Sequence, residues 1–300
     1  MQFRVAATAL NLRAKPSAQA DRVAVLPQGC IVARLALAEG NWWRVGAVLQ
    51  GAGVEGFVNS TFLVASDAPA EAPPATRIGA VHLKENRTDI TRHRDGGRAF
   101  PIGEADRPPP VAGDAAARRA GLLAIIDWLD VESGERWLAN GTTTFCNIYA
   151  HDVCHLAGVY LPRVWWTPKA LMRLGSGEPV AAAYGETVRE LSANDLADWF
   201  EDYGPSFGWR RLFDLDALQA SANQGRPAII VAQRTDLDRS GHIQLVAPEH
   251  AAHAAHRADG KVIRPLQSQA GVTNFRYGFL GSGSWWSGSE FRKHGFWAQE

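Results

Sequence analysis

The hydrophobic and polar positions of this chain follow two different rhythms. Up to about residue 66 they alternate in short runs, RVAATALNLR (4–13), VAVL (23–26), CIVARLAL (30–37), NWWRVGAVL (41–49) and GFVN (56–59). Turn residues in LPQG, EGN and QGAG separate these runs, which predicts the strands of a small all-β barrel. Adjacent Trp42 and Trp43 must face opposite sides of their strand, so one is expected in the core and the other exposed. Cys30, in an alternating run, is expected in the core.

From residue 114 the period lengthens. The run AAARRAGLLAIIDWLDVE puts Leu122, Leu123, Ile125, Ile126 and Leu129 on one broad helical face, with Asp114 as its N-cap. In FCNIYAHDVCHLAGVYLP, apolar residues recur at steps of three and four from Phe145 to Leu156 and stop at Gly158 and Pro162. Cys146 therefore opens a helix. Further helices are expected at 168–174, 180–190, 195–200 and 214–223. RPAIIVAQR (226–234), GHIQLVAPE (241–249) and the weaker KVIRPLQSQAG (261–271) then read as three antiparallel strands closing an α+β domain. Residues 78–110, rich in Gly, Pro and Arg, read as irregular structure packed around the later core.

The two rhythms meet at SDAPAEAPPATR (66–77), a Pro- and Ala-rich stretch with the composition of an extended linker. The expected organisation is a β domain at 1–66, a linker at 67–77 and an α+β domain at 78–300. With 46% hydrophobic residues in 300, the chain has enough apolar material for real cores, which excludes a wholly disordered protein. Its 31 Lys plus Arg balance 31 Asp plus Glu, so overall charge argues for no nucleic-acid partner. The first 66 residues nonetheless carry a net charge of +3. No apolar run reaches the roughly 18 residues of a membrane span, and the opening MQFRVAATALNLR alternates instead of forming a signal-peptide core.

The chemistry points to a cysteine nucleophile. A thiol in the first turn of a helix meets the positive end of the macrodipole and unpaired backbone N–H groups, which favour the thiolate. Cys146 stands there. The matching base is His242, at the head of GHIQLV and 96 positions downstream, a neutral imidazole that rigid backbone can carry to the sulfur. The Cys146 N–H is a ready oxyanion donor, and Asn147 either assists it or satisfies local backbone. Cys146, His151, Cys154 and His155 have residue types that suit zinc, but their spacing lacks a Cys-x-x-Cys pair, so Cys154 is read as a buried apolar residue. His250, His253 and His256 are read as a solvated insertion.

Several of these segments resemble known families. Ala9-Leu10-Asn11-Leu12-Arg13 with Pro16-Ser17, Leu26-Pro27-Gln28-Gly29, Gly40-Asn41-Trp42-Trp43-Arg44-Val45, and Glu55-Gly56-Phe57-Val58-Asn59 with Leu63 resemble a bacterial SH3-like domain, which implies a barrel that binds cell-wall peptidoglycan. Thr144-Phe145-Cys146-Asn147, Asp152-Val153, Gly158-Val159, Leu161-Pro162 and Gly241-His242 through Val246 resemble the papain-like peptidases of the NlpC and CHAP types. That likeness implies hydrolysis of a peptide-side amide of peptidoglycan through a thioester, with no metal or organic cofactor, outside the cytoplasm. It also implies a third polar residue that orients the histidine. Gln269 is preferred, then Gln267, then Asn274 or Glu249. Gln267 and Gln269 share a strand face. Asn147, Gln267, Tyr149, Trp285 and Trp286 are candidate substrate contacts, peptidoglycan or a muropeptide being the expected partner. The competing readings are a non-catalytic wall-binding adaptor that keeps the fold, and an acyl-transfer enzyme that uses the same nucleophile.

Overall fold

The computed structural model describes residues 2–49, 52–66, 78–83, 87–175, 177–281 and 284–300. The linker expected at 67–77 lies outside the described residues. Two compact units make up the chain, one of residues 1–78 with 174–178, the other of residues 79–173 with 179–300.

The first unit is an antiparallel sheet of seven strands, β1 (Gln2–Val5), β2 (Ala9–Arg13), β3 (Arg22–Pro27), β4 (Ile31–Leu37), β5 (Trp42–Leu49), β6 (Ala52–Asn59) and β7 (Leu63–Ala65), in the order β3-β2-β6-β5-β4-β1-β7. Alternation gives it one buried face, on which Phe3, Val5, Leu10, Leu12, Leu26, Val32, Val45 and Val58 form a single cluster. At Gly56 a Cβ would lie 2.7 Å from the Arg13 carbonyl oxygen, so glycine is what lets β2 and β6 meet. Trp42 and Trp43 do not divide into one buried and one exposed ring. Both are half-buried: Trp43 packs edge-on to Phe3 at 4.6 Å under the Arg34 guanidinium, and the sheet is too small to bury it fully. Cys30 is likewise half-buried against the cluster rather than within it.

The second unit mixes helices and strands. Its elements are α1 (Ala115–Leu129), α2 (Cys146–Leu156), β8 (Val164–Trp166), α3 (Pro168–Gly175), β9 (Val188–Glu190), α4 (Ala193–Asp202), β10 (Trp209–Leu212), α5 (Leu215–Asn223), β11 (Ala228–Arg234), β12 (His242–Val246), β13 (His256–Ala258), β14 (Lys261–Arg264), β15 (Gln267–Gln269), β16 (Phe275–Gly278) and β17 (Phe291–Gln299). Six strands form one antiparallel sheet in the order β10-β17-β11-β12-β15-β16. Helix α2 packs on β12 and α4 on β11. Asp114 caps α1 as the sequence predicts, accepting from the Ala117 N–H at 2.9 Å, and Ser192 with Asp195 forms a reciprocal capping box at the start of α4.

Two segments depart from the sequence reading. Residues 180–190 are not helical; Gly185 adopts φ +82°, and Val188–Glu190 pairs with Val164–Trp166. The turn at Gly185 and the pairing of residues 188–190 stop the helix propensity of VAAAY (180–184) from extending into a helix. The C-terminal tail, where no strand was expected, forms one. Residues 291–299 form β17, inserted between β10 and β11, with Trp297 buried; the polar Arg292, Lys293 and His294 mask its strand pattern. With β10 and β16 also joining, the sheet has six strands instead of three, and the first part of the expected third run, β14, pairs with β13 outside it.

Helix α2 is held from behind by a buried ion pair. Asp152 accepts from Arg136 Nε at 2.7 Å, Arg136 Nη2 at 3.2 Å and Trp137 Nε1 at 2.9 Å, and both charged side chains are wholly buried. Those bonds offset the loss of hydration that isolated buried charges would suffer.

Candidate functional site

The site lies where the start of α2 meets the start of β12. Cys146 is the first residue of α2 and is 3% exposed. The backbone amides of Ile243, Asn147 and Cys146 itself lie near enough to draw the thiol's pKa down, so the sulfur sits beside the His242–Ile243 peptide. Burial pushes the thiol up from its ordinary value, and those N–H groups offset only part of the rise. The helix start alone predicted the opposite direction; desolvation of a buried sulfur outweighs the macrodipole. Among the described residues no hydrogen bond joins the sulfur to the His242 ring.

His242 owes its position to a stapled loop. Asn194 of α4 accepts from the Arg234 N–H at 2.9 Å and donates to the carbonyls of Leu237 at 3.3 Å and Arg239 at 2.9 Å, fixing the turn that leads into β12. Gly241 allows that approach, since a Cβ there would lie 2.6 Å from the Ala232 carbonyl and collide with Asn194. Burial lowers His242 to about 4, against the Gln269 hydrogen bond that raises it, and the nearby Arg234 lowers it further. Its imidazole is neutral at physiological pH.

The His242 Nε2 and Gln269 Oε1 are 2.7 Å apart. Gln269 Nε2 donates to the Thr273 carbonyl at 2.8 Å, so the amide oxygen faces the imidazole and Nε2 carries the proton. Nδ1 is left as the free acceptor. Gln244, two residues after His242 and on the same strand face, also donates to Gln269 Oε1. Trp285, in a short 3-10 turn (Trp285–Ser287), donates from Nε1 to Gln244 Oε1 at 2.8 Å and stands edge-on to the His242 ring at 4.8 Å.

Other residues expected at the site lie elsewhere. Tyr149, Gln267 and Trp286 are buried. The Tyr149 hydroxyl is 2.7 Å from Ser268 Oγ, Gln267 accepts from the Leu280 N–H at 3.3 Å, and Trp286 packs edge-on to Phe296 in the sheet core. Asn147 donates to the Leu191 carbonyl at 2.8 Å, a structural bond. Asn274 accepts from the Gly271 N–H and donates to the carbonyls of Val131 and Trp137, while Glu249 pairs with Arg257; neither reaches His242. Gln244 was not among the sequence candidates. Its signal was there: a lone amide in phase with His242 within the otherwise apolar HIQLV.

The buried His151 has Nδ1 2.6 Å from the Leu161 carbonyl, and its ring stacks on His155. Among the described residues no cluster of three or more His, Cys, Asp or Glu side chains could hold a metal ion. No helix among them is long and apolar enough to cross a membrane.

No family model and no curated protein matches this chain. Among solved structures it is similar to one of NlpC2 from Trichomonas vaginalis, at 10% identity and a TM-score of 0.21, over 96% of this chain and 74% of that one.

Proposed function

We propose that the C-terminal unit is a cysteine amidohydrolase of papain-like architecture that cuts a peptide-side amide of peptidoglycan, and that the N-terminal unit is an SH3-like domain that holds it to the wall. The observation that carries this reading is a thiol at a helix start, beside the backbone of a neutral histidine whose Nε2–H is committed to Gln269. In the proposed reaction Nδ1 takes the thiol proton, and the sulfur adds to the scissile carbonyl carbon. The Cys146 N–H stabilises the oxyanion. Collapse breaks the C–N bond, and the proton on Nδ1 leaves with the amine. Water, deprotonated by the same Nδ1, then cleaves the thioester and restores the thiol. Throughout, Gln269 holds the ring and stabilises the imidazolium that forms transiently. Attachment through the N-terminal unit would raise local substrate concentration without new contacts at the sulfur.

Mass spectrometry of purified sacculi digested with the full chain tests this. New amine and carboxylate ends displaying the mass of one added water are expected, and Cys146→Ala should abolish them with folding intact. Retained cleavage by that variant refutes the assignment. Products carrying an added amine instead of water would make the protein an acyl-transfer enzyme, and no product at all would favour a wall-binding adaptor.

A further inference from the structure

Two side chains at this site, Gln244 and Trp285, join in one directional chain of hydrogen bonds that reaches His242. An indole N–H can only donate and a backbone carbonyl can only accept. Trp285 Nε1 stands at one end and the Thr273 carbonyl at the other. Between them lie two glutamine amides, each of which could face either way if isolated. Because Trp285 only donates, Gln244 must turn its oxygen to the indole and its NH₂ to Gln269. Because Thr273 only accepts, Gln269 must turn its NH₂ to that carbonyl and its oxygen to both Gln244 and His242. Both ends impose the same polarity.

We propose that Gln244 and Trp285 are positioning residues for His242: by holding the Gln269 amide in one orientation they decide which imidazole nitrogen carries the proton. Were Gln269 to turn over, its NH₂ would face His242 and also the Gln244 NH₂, and its oxygen would face the Thr273 carbonyl. The imidazole would then have to accept at Nε2 and carry its proton on Nδ1. In the hydrolase reading, on which the functional part of this inference rests, Nδ1 must take the thiol proton, so that tautomer is inert. Trp285 also covers the ring edge-on at 4.8 Å, so its indole both orients and shields the histidine.

The tautomer can be read without turnover, from two-bond ¹H–¹⁵N correlation spectra of the full chain labelled at histidine. The unmodified protein should show His242 as the Nε2–H form near pH ~7, and so should Cys146→Ala. Trp285→Phe keeps the ring and removes only the donor; Gln244→Glu replaces the donor to Gln269 by an acceptor. Each should move His242 toward the Nδ1–H form, and Trp285→Phe should lower kcat about fivefold, as the loss of one hydrogen bond implies, with KM unchanged. In a Gln269→Glu background the same Trp285→Phe change should leave the tautomer alone, because a carboxylate accepts in either orientation. A structural role for Trp285 would not vanish in that background. Persistence of the Nε2–H form in both Trp285→Phe and Gln244→Glu overturns the proposal, and if either variant fails to fold the other decides. A tautomer that responds to Trp285 in a protein that cleaves no wall substrate would sink the hydrolase reading while upholding the relay.

Discussion

Removing the charge of Asp152 isolates a guanidinium that water cannot reach. Arg136 and Asp152 are both 0% exposed, and three hydrogen bonds converge on the carboxylate, two from Arg136 and one from Trp137. Arg136 Nη2 also donates to the Phe100 carbonyl at 2.9 Å, and among the described residues Nη1 has no hydrogen-bond partner and Asp152 is the carboxylate paired with this guanidinium. In Asp152→Asn the shape survives but the compensating charge does not. Breaking one side of a buried pair costs about 3–5 kcal/mol. For a cooperative unit of this size each kcal/mol lowers Tm by about 2–4 °C, so a fall of about 6–20 °C is expected. Thermal unfolding followed by circular dichroism at neutral pH measures it. Replacing both partners, as Arg136→Met with Asp152→Leu, should recover most of the loss, because two apolar side chains leave no orphaned charge. The reasoning is refuted if Asp152→Asn stays within about 1 kcal/mol of the parent, or if the double variant is no more stable than the single one.

Two further outcomes follow from burial and close approach. Gly241→Ala should destabilise by about 1–3 kcal/mol and cut activity by displacing His242, since its Cβ would press on Asn194 and the Ala232 carbonyl; urea unfolding with activity assays checks this, and a neutral substitution would show that the loop yields freely. Burial lowers His151 to about 3 and His242 to about 4, whereas both titrate near ~6.5 in the unfolded chain, which therefore binds more protons across that window. Stability contributed by their neutral forms is complete above pH ~6.5 and lost progressively as pH falls toward those folded values. His151→Gln should flatten the loss between neutral pH and about pH 4.5 measured by urea midpoints, and a slope equal to the parent's would remove His151 as its cause.

Local pattern alone carried a good part of this molecule. The 3.6-residue period from Asp114 and from Cys146 defined α1 and α2 with their first residues, because a helix's buried stripe and its cap are written within a few positions of each other. Alternation likewise marked the strands of the first unit and put Gln267 and Gln269 on one side of β15. Which glutamine meets His242 is not a local matter. It depends on β15 pairing with β12 at Leu245↔Ser268 and on the turn that brings the Thr273 carbonyl to the Gln269 amide. The same holds for Trp285, separated by 41 positions from the Gln244 oxygen it binds, and for β17, whose polar first half reads as loop until it lies between two strands. Even the sign of the Cys146 shift was settled by depth: a helix start draws the thiol one way within a single turn, and the packing of α2 on the sheet, which no short stretch of sequence encodes, takes it the other.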